Sequence, residues 1–106
     1  MKALIVRPIF VEETEVAVED IPKLVGERYA SIPISDGVVG IVNADAFLYE
    51  GVLRNLIVYD VFGRCVLGTC ILCGDGMTDL PDLGNWRAKM RKVEEHYAEI
   101  RRRFGE

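Results

Sequence analysis

Three cysteines, Cys65, Cys70 and Cys73, and the single histidine, His96, are the residues best suited to metal or redox chemistry. Cys70 and Cys73 have the spacing at which two thiolates bind zinc when they lie on a turn. The apolar residues around them predict a strand instead, and side chains three residues apart on a strand point to opposite faces. We therefore expect reduced, buried cysteines that pack as small apolar side chains, with no metal site.

An acidic segment follows the last cysteine and contains Asp75, Asp79 and Asp82. Its spacing is not that of a calcium-binding loop, and acidic residues are favoured just before a helix because of the helix dipole. We interpret residues 74–82 as a solvated turn that leads into a helix. The sequence contains no nucleophile motif, no phosphate-binding loop and no second histidine, so we expect no catalytic residues, no cofactor and no enzymatic activity.

Seven basic side chains near the C-terminus form the predicted partner-binding site. They are Arg87, Lys89, Arg91, Lys92, Arg101, Arg102 and Arg103. Such a basic surface can hold phosphates without reading a nucleic-acid sequence, and it can equally dock on an acidic protein surface or an anionic nucleotide. A solvated helix face without a partner is the plainer interpretation. Glu94, Glu95 and Glu99 interrupt the basic residues, which weakens the case for nucleic acid.

A long amphipathic helix must carry these cations, because apolar residues recur at steps of four and three from residue 86 to residue 104. They are Trp86, Met90, Val93, Tyr97, Ile100 and Phe104. The pattern predicts that the whole stripe is buried across a sheet. Pairing with the same helix of a second copy is the alternative, and the two arrangements can coexist.

The rest of the chain predicts a mainly antiparallel sheet of about five strands, with one short helix at residues 20–26. We therefore assign an α+β fold in which the long C-terminal helix completes the domain. The strand predictions are residues 3–6, 12–19 with Val16 and Val18 on one face, 29–34 and 37–42 joined by a turn at Asp36-Gly37, 56–59, and 66–73. Three of them look apolar on both faces, which predicts a homodimer that buries the uncovered face.

The composition fits a single domain over residues 1–106, since 50% of the residues are hydrophobic and the net charge is −4. Residues 1–83, the sheet-rich core, carry a net charge of −7, whereas residues 84–106, the basic helix, carry +3. Negative charge therefore predominates in the sheet-rich core and positive charge in the C-terminal helix. The absence of a signal peptide or apolar span, and the odd number of cysteines, predict a cytoplasmic protein without a membrane partner.

Four short motifs occur in an order that resembles a known family. They are Met1-Lys2-Ala3-Leu4-Ile5-Val6, Leu24-Val25-Gly26, Asp36-Gly37-Val38 with Ile41-Val42-Asn43, and Leu67-Gly68-Thr69-Cys70-Ile71-Leu72-Cys73-Gly74. They are similar to small uncharacterised proteins encoded by bacteriophages, prophages and conjugative plasmids, over roughly residues 1–82. The stretch from Phe47 to Ile57 follows that family loosely, and the basic tail extends past the shared part.

The resemblance implies a context and no reaction. A small protein of such an element is expected to be a non-catalytic accessory protein in the host cytoplasm, where it counters host defence. It would do so by binding a host protein or by sequestering a small signalling ligand. The alternative is a nucleic-acid-binding accessory or regulatory protein that uses the basic C-terminal helix.

Overall fold

A five-stranded antiparallel sheet with helices on both faces forms the fold in the computed structural model, which describes residues 1–48 and 51–104. The elements in chain order are β1 (Lys2–Val6), β2 (Val11–Glu15), α1 (Ile21–Val25), β3 (Tyr29–Ser35), β4 (Val38–Asn43), α2 (Leu56–Phe62), β5 (Cys70–Gly74) and α3 (Asn85–Phe104), with 3-10 turns at Val18–Asp20 and Ala46–Leu48. The sheet order is β2-β1-β5-β4-β3. The predicted α+β fold, with a short helix and a long C-terminal helix, is confirmed.

The central strand β5 divides the core into two layers. Cys70 and Leu72 lie in the layer beneath α2 and α3, which we call the helix face, and Ile71 and Cys73 lie in the layer beneath α1, which we call the α1 face. All five residues of β5 are buried. Gly40 on β4 leaves room for this packing, because a Cβ there would lie 2.7 Å from the Sγ of Cys70. The alternation predicted for the two cysteines is therefore confirmed.

The α1 face is closed within the single chain. Ile21 and Val25 of the short helix pack against Ile5, Ile41 and Ile71 of three different strands, and all five side chains are buried. The homodimer was expected because one apolar face of the sheet would be left uncovered. The α1 face is not such a face, since α1 covers it. The homodimer stays a prediction, and a surface for it has to be found elsewhere on the molecule.

The predicted strand at residues 56–59 is wrong, because these residues open helix α2. Asn55 caps the helix, since its side chain accepts a hydrogen bond from the backbone N–H of Val58, and Gly63 ends it with a left-handed φ of 70°. The run Leu-Ile-Val-Tyr favours a strand by β-propensity. Val58 is buried on the inner side of α2, and this burial, together with the two caps, outweighs that local preference.

Two predicted strands are shorter in the structure than in the sequence analysis. β5 begins at Cys70, because the stretch from Val66 to Thr69 is a connection that pairs only through Leu67 with Arg54. β2 ends at Glu15, and the chain then turns, so that Val16 is buried while Val18 lies half exposed on a 3-10 turn. The predicted placement of both valines on one strand face is therefore wrong.

Each edge of the sheet carries residues that discourage further strand pairing. β2 forms one edge and presents Glu12, Glu13 and Glu15, whose charges oppose the approach of another strand. β3 forms the other edge and contains Pro33, which has no N–H to donate. A partner is therefore expected to bind through side chains and not by extending the sheet.

Candidate partner-binding face

Helix α3 lies across the helix face along only part of its length. Met90 is 2% exposed, and Trp86, Val93 and Tyr97 pack partly buried against the same core. Ile100 is 36% exposed and Phe104 is 86% exposed, so the prediction that the whole stripe is buried is wrong for the last two turns. A helix of 20 residues is about 30 Å long. The apolar stripe of α3 therefore extends past the part of the core on which the helix packs.

Three polar contacts fix the packed part of α3. The guanidinium of Arg87 donates to the carboxylate of Glu13 on β2, and the backbone N–H of Val11 on the same strand donates to the carboxylate of Glu94. On the opposite side, the hydroxyl of Tyr97 donates to the Asp60 carboxylate on α2 at 2.6 Å. These contacts connect α3 to the edge strand and to α2, and they define how it is oriented on the sheet.

Arg87 differs from the other predicted site residues because it already has a partner within the chain. Its hydrogen bond and charge interaction with Glu13 lower the pKa of that carboxyl group, and the hydrogen bond from the same pair raises the pKa of Arg87. Binding of an external anion at Arg87 would have to compete with Glu13. We therefore assign Arg87 to the attachment of α3 and not to partner binding.

Tyr97→Phe tests the contact between α3 and α2. The hydrogen bond to Asp60 and, to a lesser extent, burial raise the pKa of Tyr97 from 10.0 to about 12. The neutral phenol is thus favoured in the folded state, and its contribution is present below pH 10 and is lost as the pH rises towards 12. We expect Tyr97→Phe to lower the free energy of unfolding by about 0.5–1 kcal/mol at neutral pH.

Urea titrations of both proteins between pH 8 and pH 12 would measure this difference, which should narrow as the pH rises. Tyr59→Phe is the matched control, because Tyr59 lies on α2 with an exposed ring near Arg54. A difference between wild type and Tyr97→Phe that stays constant up to pH 12 would contradict the role given to Asp60.

The other six predicted cations are exposed on the solvent side of α3 in two groups. The first group is Lys89, Arg91 and Lys92, and the second is Arg101, Arg102 and Arg103. The two groups lie about 15 Å apart along the helix, and Glu95 and Glu99 lie between them. The structure therefore brings the predicted residues onto one helix but does not merge them into one continuous basic surface.

The second group differs from the first because exposed apolar side chains lie next to it. Arg103 forms an i,i+4 ion pair with Glu99 at 3.2 Å, whereas no carboxylate among residues 1–48 and 51–104 lies within ion-pair distance of Arg101 or Arg102. Ile100 and Phe104 are exposed beside these arginines. We call this set the tail patch: Ile100, Arg101, Arg102, Arg103 and Phe104. Sequence reasoning found its cations but missed its apolar residues, since periodicity placed them in the core.

The cysteines offer little chemistry. Cys70 and Cys73 are fully buried on opposite faces, and burial raises the pKa of both thiols, that of Cys70 to about 12. Cys65 is exposed, so the expectation that all three are buried is wrong for this residue, which lies in the connection before β5. Among the described residues, no three His, Cys, Asp or Glu side chains are placed to hold a metal ion.

Two carboxylates of the acidic segment accept hydrogen bonds from backbone N–H groups. The Asp79 carboxylate accepts a hydrogen bond from the N–H of Lys2 at 2.8 Å, and the Asp82 carboxylate accepts one from the N–H of Gly84 at 3.0 Å, just before α3 begins. Asp75 is exposed on the turn after β5. The interpretation of residues 74–82 as a turn leading into a helix agrees with these contacts.

Small clefts border α3. One of about 140 Å³ lies between β2 and α3 and is lined by Leu4, Met90 and the ion pair of Glu13 with Arg87, and another of about 240 Å³ is lined by Ile100 and Arg103. Pockets that enclose drug-sized ligands have volumes of about 300–1,000 Å³. These clefts therefore give little support to the sequestration of a nucleotide-sized ligand next to the basic residues.

Comparisons with known proteins add nothing to the description of this site. No known family matches the chain, and no similar protein was found among curated proteins or among solved structures. In the part of the chain that the structure describes, none of the helices has the length and apolar character needed to cross a membrane.

Proposed function

We propose that the chain is a non-catalytic accessory protein of a phage or other mobile element that binds an acidic surface of a host protein through the tail patch. It would act in the host cytoplasm, against host defence. One observation carries the binding mode: Phe104 and Ile100 are exposed at the end of α3 beside three consecutive arginines. Exposed aromatic and aliphatic side chains next to arginines have the composition of a protein-binding hot spot.

The apolar part of the tail patch favours a protein over the phosphate backbone of a nucleic-acid duplex. A surface that holds only phosphates gains nothing from an exposed phenylalanine, because phosphate contacts depend on charge. Residues 1–83 carry a net charge of −7, which repels a polyanion as long as a duplex. An acidic protein surface with an apolar centre would satisfy both the arginines and Phe104.

The arginines are tested by changing Arg101, Arg102 and Arg103 together to glutamine. Binding to a peptide rich in glutamate and leucine should weaken about ten-fold, since three exposed charge contacts contribute about 0.5 kcal/mol each. Phe104→Ala should also weaken it, and that second loss should persist at high salt because it is not electrostatic. Fluorescence anisotropy of the labelled peptide would measure both effects.

The matched control changes the same number of charges on the same helix, at Lys89, Arg91 and Lys92. It should leave peptide binding within about two-fold of the wild-type value, because these residues are about 15 Å from the apolar end of the patch. Equal loss in both triple variants, together with steeply salt-dependent binding to non-specific duplex DNA that does not need Phe104, would reject the protein partner. It would favour the nucleic-acid alternative instead.

A further inference from the structure

A second apolar surface lies at the far end of the helix face, away from α3. It is an open groove of about 220 Å³ formed between β3, β4, the 3-10 turn at Ala46–Leu48 and the connection that precedes β5. Among the described residues its lining side chains carry no charge; they are Ile32, Val42, Asn43, Ala46, Phe47, Cys65, Val66 and Leu67. The groove does not overlap the tail patch, and nothing in the proposed function uses it.

Large exposed apolar side chains lie on the chain segments next to this groove. Phe47 is 72% exposed, Leu48 is 66% exposed and Leu53 is 68% exposed. Leu53 lies beside the groove, because its carbonyl accepts a hydrogen bond from the N–H of Gly68 at 2.7 Å, next to the lining residue Leu67. The three side chains together expose roughly 400 Å², which is the size of the largest, often functional, apolar patch of a monomer.

The charge of a surface determines whether it can pair with the same surface of a second copy. In a two-fold dimer the same patch of both copies is juxtaposed, so a charged patch faces an identical charge. The tail patch presents three arginines and would therefore repel its own copy. The groove side chains that the structure describes, among them Phe47 and Leu67, carry no charge and would not repel their copies.

We propose that a second copy of this chain docks on the groove, with a two-fold axis close to Phe47 and Leu53. Complete burial of the exposed side chains in both copies would account for roughly 800 Å² of buried surface, and the groove floor adds to it. The total lies at the low end of the size range of specific interfaces. The proposal supplies the dimer surface that the α1 face does not, and it leaves both tail patches free to bind their partner.

The assembly is tested with the double variant Phe47→Asp, Leu53→Asp, in which two like charges would meet their copies across the axis. Sedimentation equilibrium of the wild-type chain at micromolar concentrations should give twice the mass of one chain, and the double variant should give half of that value. Circular dichroism should show the same helix and strand content for both, since the two side chains are exposed. Val18→Asp, at a half-exposed position remote from the groove, is the control and should remain a dimer.

Cys65 provides a second, independent measurement because it lines the groove. Cys70 and Cys73 are buried, so Cys65 is the accessible thiol of the folded chain. Its labelling rate with a maleimide should fall as the wild-type concentration rises, and it should be independent of concentration in the double variant. A wild-type chain that stays monomeric, a dimer that survives in the double variant, or a dimer in which Cys65 reacts as fast as in the monomer would each overturn the proposal. None of these outcomes affects binding at the tail patch.

Discussion

Replacing Asn55 by leucine is expected to lower the free energy of unfolding by about 4 kcal/mol, the largest loss for any change of a polar side chain in this protein. Asn55 has no exposed surface. Its amide nitrogen donates to the carbonyls of Val6 and Gly68 at 2.7 and 2.9 Å, and its amide oxygen accepts from the N–H of Val58 at 3.0 Å. Leucine has a similar size but satisfies none of these groups, so two buried polar atoms and one partly buried polar atom would lose their partner.

Urea unfolding followed by circular dichroism would measure the loss. Asn55→Ser should give an intermediate value, because the hydroxyl can still cap α2 but cannot reach both carbonyls. Asn85→Leu is the matched control, because Asn85 is exposed at the start of α3. A cost at Asn55 no larger than that at Asn85 would show that the buried network does not hold β1, α2 and the Gly68 connection together.

Met90→Asp should lower the free energy of unfolding by about 4 kcal/mol, a large part of the roughly 5–15 kcal/mol that stabilises a typical domain. Met90 is 2% exposed and packs in the core beneath α3. A carboxylate there would be largely removed from water, and the Arg87 guanidinium beside the same cleft is already bound to Glu13. Thermal unfolding followed at the helix signal would measure the effect.

Phe104→Asp introduces the same charge on the same apolar stripe and serves as the control. Because Phe104 is 86% exposed, its replacement should change the free energy of unfolding by no more than about 0.5 kcal/mol. Ile100→Asp should also be mild, although the repeat in the sequence gives Ile100 and Met90 the same role. If Phe104→Asp were as destabilising as Met90→Asp, the end of α3 would be packed and the tail patch would not exist.

The parts of the fold that the sequence predicts well are those that local patterns determine. The apolar start of the chain, the Asp36-Gly37 turn and the repeat from Trp86 to Phe104 each specify an element within a few residues of its observed position. Helix α2 was missed because its residues favour a strand locally. Its cap, Asn55, is held by Val6 and Gly68, which are 49 and 13 residues away in the sequence.

The candidate site was predicted in part for a similar reason. Periodicity shows which side of α3 is apolar, but it does not show how far the sheet and α2 extend beneath it. The positions of Ile100 and Phe104 depend on that length, and so does the difference between a core residue and a binding residue. The groove at Phe47 depends on two connections that are close in space and distant in sequence, so no local signal could reveal it.

The position of β5 in the sheet affects the order in which the fold can assemble. β1 and β2 form one hairpin and β3 and β4 form another, and only β5, the last strand to be synthesised, lies between them. An isolated hairpin is marginally stable in water. Neither half can therefore persist before the ribosome has released residue 74, and both hairpins expose the side chains of the future core until then. The sheet is therefore expected to be completed only when β5 inserts between the two hairpins.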